Sequence, residues 1–195
     1  MMRTQLVRPR RDPAPAVSPA VPGVAAGVAA GREVEIRPVL ADDGERMRAF
    51  LCGLSLHTQT LRFFTGLGRP GEGLVRALLR VDERRDVLLA VHGETVVGHV
   101  MGFDRDGGVE ISVVVADEWQ GRGIGSRLVR RLLHRAEARG AEAVGMDVLA
   151  ENRKVLSMIR AWWPDAAMAV SAGTVEVVAQ LRRRGRGDAA AADAV

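Results

Sequence analysis

Three glycines and an arginine between residues 120 and 126 are the clearest chemical feature of the sequence. Residues 113–128 read Val-Val-Val-Ala-Asp-Glu-Trp-Gln-Gly-Arg-Gly-Ile-Gly-Ser-Arg-Leu, so an apolar strand pattern runs through glycines into a helical pattern. The first amides of a helix lack intrahelical partners and lie at the positive end of the helix dipole, which favours an anion. Glycine leaves those amides uncovered, and Arg122 adds a guanidinium group. The segment therefore predicts a binding site for a phosphate or diphosphate.

Known phosphate-binding motifs differ in where they place their glycines. A P-loop needs a lysine after its last glycine, and this segment contains none. A Rossmann loop needs GxGxxG in an early strand–helix unit, whereas Ser126 stands at the third glycine position here. A third pattern, Q/R-x-x-G-x-G/A, is matched from Gln120 to Gly125 at every defined position. A tight turn would also use glycine, but three glycines in five residues before an arginine-rich helix favour an anion site.

The elements that position this segment alternate in a mixed order. Period-two and continuous apolar runs predict strands at 33–39, 87–92, 95–103, 109–116, 143–149, 166–171 and 174–181. Helical patterns cover 41–54, 56–64, 74–80, 123–139 and 151–162. Gly140 is placed to end the fourth helix. This order predicts an α/β (α+β) fold with a mixed, mostly antiparallel central sheet flanked by helices.

Charge and composition divide the 195-residue chain into a body and two tails. Residues 1–31 carry four arginines against one aspartate, and residues 182–195 carry four arginines against two aspartates. Because the whole chain has a net charge of +4, the body, 32–181, is left at −1. The whole chain is 47% apolar, which is enough for the body to bury one core. We predict one domain at 32–181 between a disordered Pro/Ala/Arg-rich arm and a disordered Arg/Ala-rich tail.

The composition also limits the expected partners and location. No apolar run approaches the ~20 residues of a membrane span, so no membrane partner is expected. The isoelectric point is basic because the chain has almost no groups that titrate between histidine and arginine: it has no tyrosine, one cysteine and one lysine. We interpret the arginine tails as solvated charge and not as a nucleic-acid site. A single cysteine and the lack of HExxH spacing predict no disulfide and no metal. We expect a cytoplasmic protein, with an N-terminal export signal as an alternative that the prolines disfavour.

Several segments together resemble the GCN5-related N-acetyltransferase (GNAT) family over residues 33–181. The glycine segment is similar to that family's acetyl-CoA diphosphate motif. The segment 148–153, Val-Leu-Ala-Glu-Asn-Arg, resembles the family's strand-to-helix connection beside the cofactor, with Asn152 at the asparagine position. Arg37-Pro38 and the stretch from Gly53 to Phe64 resemble the branch that contains bacterial protein-lysine acetyltransferases.

The resemblance implies a bacterial enzyme that transfers an acetyl group from acetyl-CoA, as co-substrate, to a primary amine. Glu110 is the candidate base that would take a proton from the amine, directly or through water, and its alternative is an ordinary exposed carboxylate. Relatives often use a tyrosine to protonate the leaving thiolate, but this chain has none, so Ser157 or water takes that place. The implied cofactor-binding residues are Val113, Val114, Val115, Gln120, Gly121, Arg122, Gly123, Ile124, Gly125, Ser126 and Asn152. The strand that contains Val113 to Val115 should splay from its neighbour to pair with pantetheine.

The acceptor and the presence of catalysis stay open at this level. A protein lysine, a polyamine, an aminoglycoside or an amino acid would suit the same fold. A non-catalytic acyl-CoA-binding module is the alternative, favoured by the missing tyrosine and by the unusual Trp162-Trp163-Pro164 segment. Nucleic-acid binding would rest on the tails alone, and a homodimer is compatible with the sequence. We further expect both tryptophans and Cys52 to lie in the core, Asp42 and Asp43 to be exposed, and His57 and His99 to be candidates for the acceptor cleft.

Overall fold

The computed structural model describes residues 33–181, which form a mixed sheet with helices packed on it. The strands are β1 (Glu35–Pro38), β2 (Arg85–His92), β3 (Thr95–Arg105), β4 (Gly108–Val115), β5 (Ala143–Leu149), β6 (Ala167–Ser171) and β7 (Thr174–Gln180). The helices are α1 (Asp43–Gly53), α2 (Leu56–Phe63), α3 (Glu72–Leu79), α4 (Ile124–Ala138) and α5 (Arg153–Trp162). A 3-10 turn at Asp117–Trp119, which the sequence patterns did not predict, joins β4 to the glycine segment.

The seven strands lie in the order β1-β2-β3-β4-β5-β7-β6. Every neighbouring pair is antiparallel except β4 and β5, which run parallel. This arrangement confirms the predicted mixed, mostly antiparallel sheet flanked by helices. The parallel pairing of β4 with β5 covers only three residue pairs and ends at Glu110 and Gly145. The two strands therefore diverge beyond that point.

The two faces of the sheet are covered by different helices. On one face, α4 buries an apolar stripe that includes Leu128 and Leu132, both fully buried against residues of β2, β3 and β4. On the other face, α1 and α3 pack against the alternate strand residues through Met47, Leu51 and Leu78. Because successive strand residues point to opposite faces, the sheet forms two cores with β4 contributing to both. Helix α5 covers the β5–β7 end of the sheet.

Side-chain caps fix where two helices begin. Ser55 accepts a hydrogen bond from Thr58 N at 3.1 Å at the start of α2. Asn152 accepts one from Val155 N at 3.3 Å, so α5 begins at Arg153 and not at residue 151 as predicted. An oxygen acceptor at this position satisfies an amide that the helix itself leaves unpaired. The predicted order of helices and strands is otherwise confirmed, with ends shifted by one or two residues.

Two predictions about burial were wrong. Asp43, predicted to be exposed, is fully buried and accepts hydrogen bonds from both terminal nitrogens of Arg37, each at 2.7 Å. These hydrogen bonds lower the pKa of the Asp43 carboxyl to about 2. Cys52, predicted to lie in the core, is exposed because it falls on the outer face of α1. The predicted arm at 1–31 and tail at 182–195 lie outside the described residues. Within those described, no helix is long and apolar enough to cross a membrane.

Candidate active site

The glycine segment forms a sharp turn that ends in the first residues of α4. Gly121 and Gly123 adopt φ values of +76° and +75°, a left-handed conformation that other residues rarely adopt. A Cβ atom added at either glycine would meet nothing within 4 Å, so open space lies in front of this turn. The amide of Arg127 donates to Gly123 O at 3.0 Å as α4 begins. The amides of Ile124, Gly125 and Ser126 precede that bond and are therefore the free donors of a helix start.

A hydrogen-bond network links this turn to helix α2. The carboxylate of Asp117 accepts hydrogen bonds from Ser55 Oγ at 2.6 Å, Ser55 N at 3.0 Å and Thr58 Oγ1 at 2.7 Å. Burial alone would raise the pKa of Asp117, but these hydrogen bonds outweigh it, and the pKa lies below its usual value. The side-chain amide of Gln120 donates to Thr58 Oγ1 and to Val115 O. The network therefore fixes the residues that lead into the turn.

Gln120 accordingly plays a different part from the one predicted. Its side-chain amide is directed into the protein, and its backbone amide donates to Asp117 O at 3.2 Å. Both donors thus serve the structure of the turn and are not directed at a ligand. The anion-binding donors expected at 120–126 reduce to the backbone from Gly121 onward and the side chain of Arg122.

Arg122 stacks on an aromatic pair beside the turn. Its guanidinium carbon lies 4.8 Å from the centre of the Trp119 ring, and that ring packs against His92 with centroids 4.8 Å apart. Stacking of this kind restricts the orientation of a guanidinium while leaving its N–H donors available. The Trp119 ring is half-buried against the α4 core and so lies between the turn and the sheet.

A cavity of about 410 Å³ opens where β4 and β5 diverge. It reaches both faces of the sheet, because its walls include Leu78 and Met101 from the α1–α3 side and Val129 and Ile159 from the α4–α5 side. Beyond Glu110, the edge of β4 that faces β5 makes no ladder pairs with it. The predicted splaying of this strand is therefore present. An extended group that enters the gap meets a strand edge with unpaired backbone polar groups.

The segment that contains the glycine turn and nearly all of the cavity wall matches a known family. The family model for the acetyltransferase (GNAT) family matches residues 55–162, more than half of the chain. The chain belongs to the GNAT family. Acetyltransferase PA5475 of Pseudomonas aeruginosa is 31% identical over 118 residues, covering 56% of this chain and 63% of that protein. Acetyltransferase Pat of Mycolicibacterium smegmatis is 32% identical over 154 residues, covering 73% of this chain and 45% of that protein. The chain thus spans less than two thirds of either relative.

Solved structures show the same GNAT fold. The GNAT domain of S. lividans PAT superposes with a TM-score of 0.70 at 24% identity, covering 76% of this chain and 90% of that one. The PaiA N-acetyltransferase of Thermoplasma acidophilum, solved in complex with coenzyme A, gives a TM-score of 0.60 at 13% identity, covering 76% and 99%. In the present chain the open turn, the free helix-start amides and the unpaired β4 edge fit a ligand with a diphosphate and an extended amide-bearing arm.

The other predicted cofactor residues occupy the site unequally. Val113 lines the cavity and faces the α4–α5 side, whereas Val114 is buried in the core formed with α1 and α3. Val115 supplies the carbonyl that Gln120 binds. Asn152 lines the cavity while its side chain caps α5. Besides the Val113 side chain, β4 therefore presents the backbone groups of its unpaired edge to a ligand in the gap.

Glu110 stands where β4 and β5 separate. It is the last residue of β4 that pairs with β5, and it lines the cavity from the α1–α3 side. Its side chain is 44% exposed and forms an ion pair with Arg105 at 2.6 Å. Glu110 is thus partly exposed to solvent and contributes to the cavity wall, as a proton acceptor requires. Its pairing with Arg105 restricts where it points.

Two other expectations are changed by the structure. Ser157 lies on the exposed face of α5 and does not line the cavity, because Leu156 and Ile159 turn the opposite face inward. Trp162 is 37% exposed and, with Trp163, lines the cavity, so the pair is not simply part of the core. Their rings meet edge to face with centroids 5.6 Å apart, and form an aromatic wall.

The two histidines considered for the acceptor cleft are not among the residues that line it. His57 is exposed on α2. His99 is fully buried, its Nε2 lies 2.9 Å from Leu78 O, and its Nδ1 has no partner among the described residues. Burial lowers the pKa of His99 to about 4, so the ring is neutral at physiological pH.

Arg62 is a cavity residue that the sequence reasoning missed. It lies on α2, lines the cavity and donates to Ser112 Oγ of β4 at 2.7 Å. In the sequence it looks like an ordinary polar residue of an amphipathic helix. The available signal was its place between Leu61 and Phe63, in the segment that carries the family resemblance.

Proposed function

We propose that this protein transfers an acetyl group from acetyl-CoA to a primary amine by direct attack of the amine on the thioester. The observation that carries the proposal is the position of the glycine turn at the start of α4, which the 3-10 turn joins to the splayed end of β4. A diphosphate on the turn would direct an attached arm along the strand edge and into the cavity. Membership of the GNAT family and the coenzyme A complex of a structural neighbour support this choice of ligand.

The binding roles divide between backbone and side chain. The amides of Ile124, Gly125 and Ser126 and the guanidinium of Arg122 would hold the diphosphate. The backbone of β4 between Ile111 and Val115 would pair with the pantetheine arm as an added strand. A backbone N–H of this strand would also stabilise the negative charge that develops on the thioester oxygen.

Glu110 would act as the base. A lysine-type amine with a pKa of ~10.4 is mostly protonated at neutral pH and must lose a proton before it can attack. Glu110 lines the cavity at the point where the strands separate, and this position supports a role near the thioester end of the proposed pantetheine path. The nitrogen then forms a bond to the acyl carbon, the carbon–sulfur bond breaks, and coenzyme A leaves as a thiolate.

The leaving thiolate needs no dedicated acid in this proposal. A thiol has a pKa of ~8.5, so its thiolate is a tolerable leaving group and solvent can supply the proton. We assign no part to Ser157, because its position on the exposed face of α5 separates it from the cavity. The lack of a dedicated acid distinguishes the chain from relatives that use a tyrosine to protonate the thiolate.

The acceptor class in this proposal is a primary amine, either a protein lysine or a small amine, and a cytoplasmic location is part of the same proposal. Steady-state release of coenzyme A thiol, measured with acetyl-CoA against a panel of proteins and amines, tests it. We expect turnover that depends on both substrates and yields an acetylated amine by mass spectrometry. Binding of acetyl-CoA without turnover of any acceptor would contradict catalysis and favour a non-catalytic acyl-CoA-binding module.

A further inference from the structure

Arg62 is a partly buried arginine that forms no ion pair within the described residues. Its Nε atom is buried with no hydrogen-bond partner among residues 33–181, and its only polar contact to another side chain there is with Ser112. The guanidinium carbon lies 4.7 Å from the centre of the Phe63 ring. Burial lowers the pKa of the group to about 10, which leaves it protonated at neutral pH. Arg62 thus brings a positive charge into an apolar environment.

The buried carboxylates in the described part of the chain are paired. Asp43 is bound by Arg37, and Asp86, 4% exposed, is bound by Arg135 and Arg139 at 2.6 and 2.9 Å. A buried charge without a partner is destabilising, because the low-dielectric surroundings do not replace its hydration. Arg62 forms no such ion pair within the described residues, and it opens into the cavity instead of into the core. A ligand could supply the missing anion.

The charges that line the cavity indicate the kind of ligand. Arg62 is the cationic side chain in the described cavity wall, and Glu110 and Asp147 are its carboxylates. The planar donor fork of a guanidinium matches a carboxylate, and the Ser112 hydroxyl next to it can add a hydrogen bond. An ammonium group would be attracted to Glu110 or Asp147 in the same space. The cavity is therefore complementary to a molecule that carries an amine and a carboxylate.

We propose that Arg62 and Ser112 form a carboxylate-binding subsite within the cavity that selects substrates bearing a carboxylate close to the reacting centre. This proposal rests on the proposed acyl transfer and adds a substrate class to it. The carboxylate can come from two sources, an amino-acid-type acceptor or a dicarboxylic acyl group on coenzyme A. Arg62 contacts Ser112, which lies two residues from Glu110 on the same face of β4, and this proximity favours the acceptor as the source.

Two arms of one kinetic experiment distinguish the sources. The first compares kcat/KM with acetyl-CoA for an α-amino acid and for its carboxamide. The second compares succinyl-CoA with acetyl-CoA on a single amine. In one of the two arms, we expect the kcat/KM of the wild-type protein to be about tenfold or more higher for the carboxylate-bearing substrate, as a charge-assisted hydrogen bond allows. Arg62→Gln should bring that ratio close to one, and Arg62→Lys should restore part of it.

The control is Arg76→Gln, on the exposed part of α3, which should keep the wild-type ratio. The readout is the ratio of the two kcat/KM values and not either value alone, because a purely structural defect would lower kcat/KM for both substrates alike. If Arg62→Gln does not fold, judged by thermal melting, Ser112→Ala and Arg62→Lys test the same ratio. No carboxylate preference in either arm, or a preference that survives Arg62→Gln, overturns the subsite.

Calorimetry separates this outcome from failure of the proposed function. Wild-type protein that binds acetyl-CoA but shows no carboxylate preference contradicts the subsite alone. Wild-type protein that neither binds nor turns over acetyl-CoA contradicts the proposed transfer, and the subsite is then tested with succinate as the probe. Saturable binding of succinate that Arg62→Gln abolishes supports the subsite, and absence of binding overturns it.

Discussion

The hydroxyl of Thr58 on α2 donates a 2.7 Å hydrogen bond to the carboxylate of Asp117, which begins the 3-10 turn before the glycine segment. The same hydroxyl accepts from the side-chain amide of Gln120 at 3.2 Å. Helix α2 also carries Arg62, which lines the cavity. Thr58 therefore connects helix α2, which carries Arg62, to the turn proposed to bind the cofactor. The position of the turn depends on that connection.

Replacement of Thr58 by valine tests this connection. The variant keeps the side-chain shape but loses both hydrogen bonds, each of which contributes about 1 kcal/mol. We expect affinity for acetyl-CoA, measured by calorimetry, to fall by about three- to tenfold. Thr60→Val is the matched control, because the Thr60 hydroxyl donates only to Leu56 O within the same helix. Equal affinities for the two variants would show that the network does not position the turn.

The left-handed conformation of Gly123 leads to a second prediction. Alanine at φ +75° costs about 1–2 kcal/mol, and its methyl group would occupy the space in front of the helix-start amides. We expect Gly123→Ala to weaken acetyl-CoA binding by about tenfold or more. Gly44→Ala is the control, since Gly44 lies in α1 with nothing within 4 Å of an added Cβ. That variant should bind normally and be stabilised by about 0.4–1 kcal/mol. Unchanged binding by Gly123→Ala would remove the turn from the site.

The proposed base makes a third prediction. Glu110→Gln preserves the size of the side chain but removes the proton acceptor, so kcat should fall by about 10²–10⁴-fold. The dissociation constant for acetyl-CoA should stay within about twofold, because the turn and the β4 edge are unchanged. Glu83→Gln, an exposed carboxylate outside the cavity, serves as the control. A rate near the wild-type value in Glu110→Gln would exclude Glu110 as the base.

The buried histidine predicts how stability depends on pH. The pKa of His99 is about 4 in the folded protein and ~6.5 in the unfolded chain, so the unfolded state binds more protons between these values. The resulting stabilisation is fully present above pH ~6.5 and is lost as the pH falls toward about 4. Urea unfolding across this range should show a decrease of about 3 kcal/mol.

The matched variant for this prediction is His99→Gln. Its amide can donate to Leu78 O as the His99 Nε2 does, but it carries no titrating group. The free energy of unfolding of this variant should change less between pH 4 and 6.5 than that of the wild type. Parallel curves for the two proteins would show that His99 does not cause the acid sensitivity.

Local patterns were sufficient to predict the order of elements. Periodicity reports which face of an element is buried. The apolar stripe of α4 through Ile124, Leu128 and Leu132, together with the apolar strand patterns, was therefore enough to predict the mixed sheet and its helices. The glycine spacing at 120–125 predicted the turn, because the conformation of a turn depends on the residues within it. The spacing also gave the resemblance to the family that the comparison later showed.

Side-chain contacts between distant residues could not be predicted. Thr58 and Asp117 are 59 residues apart, and Arg62 reaches Ser112 across 50. No local pattern reports such pairs, because they depend on how α2 packs over β4. The position of Ser157, in contrast, could have been predicted from the local pattern. The buried Leu156 and Ile159 define the inner face of α5, and helical spacing places Ser157 outside it.

Binding of coenzyme A at the turn between Gly121 and Ser126 is the central claim, and calorimetry with three ligands tests it most directly. We predict saturable binding of one acetyl-CoA per chain, weaker binding to Gly123→Ala, and no detectable binding of pantetheine, which lacks the diphosphate. If millimolar acetyl-CoA and coenzyme A give no saturable heat, or if pantetheine binds as tightly as they do, the account is contradicted.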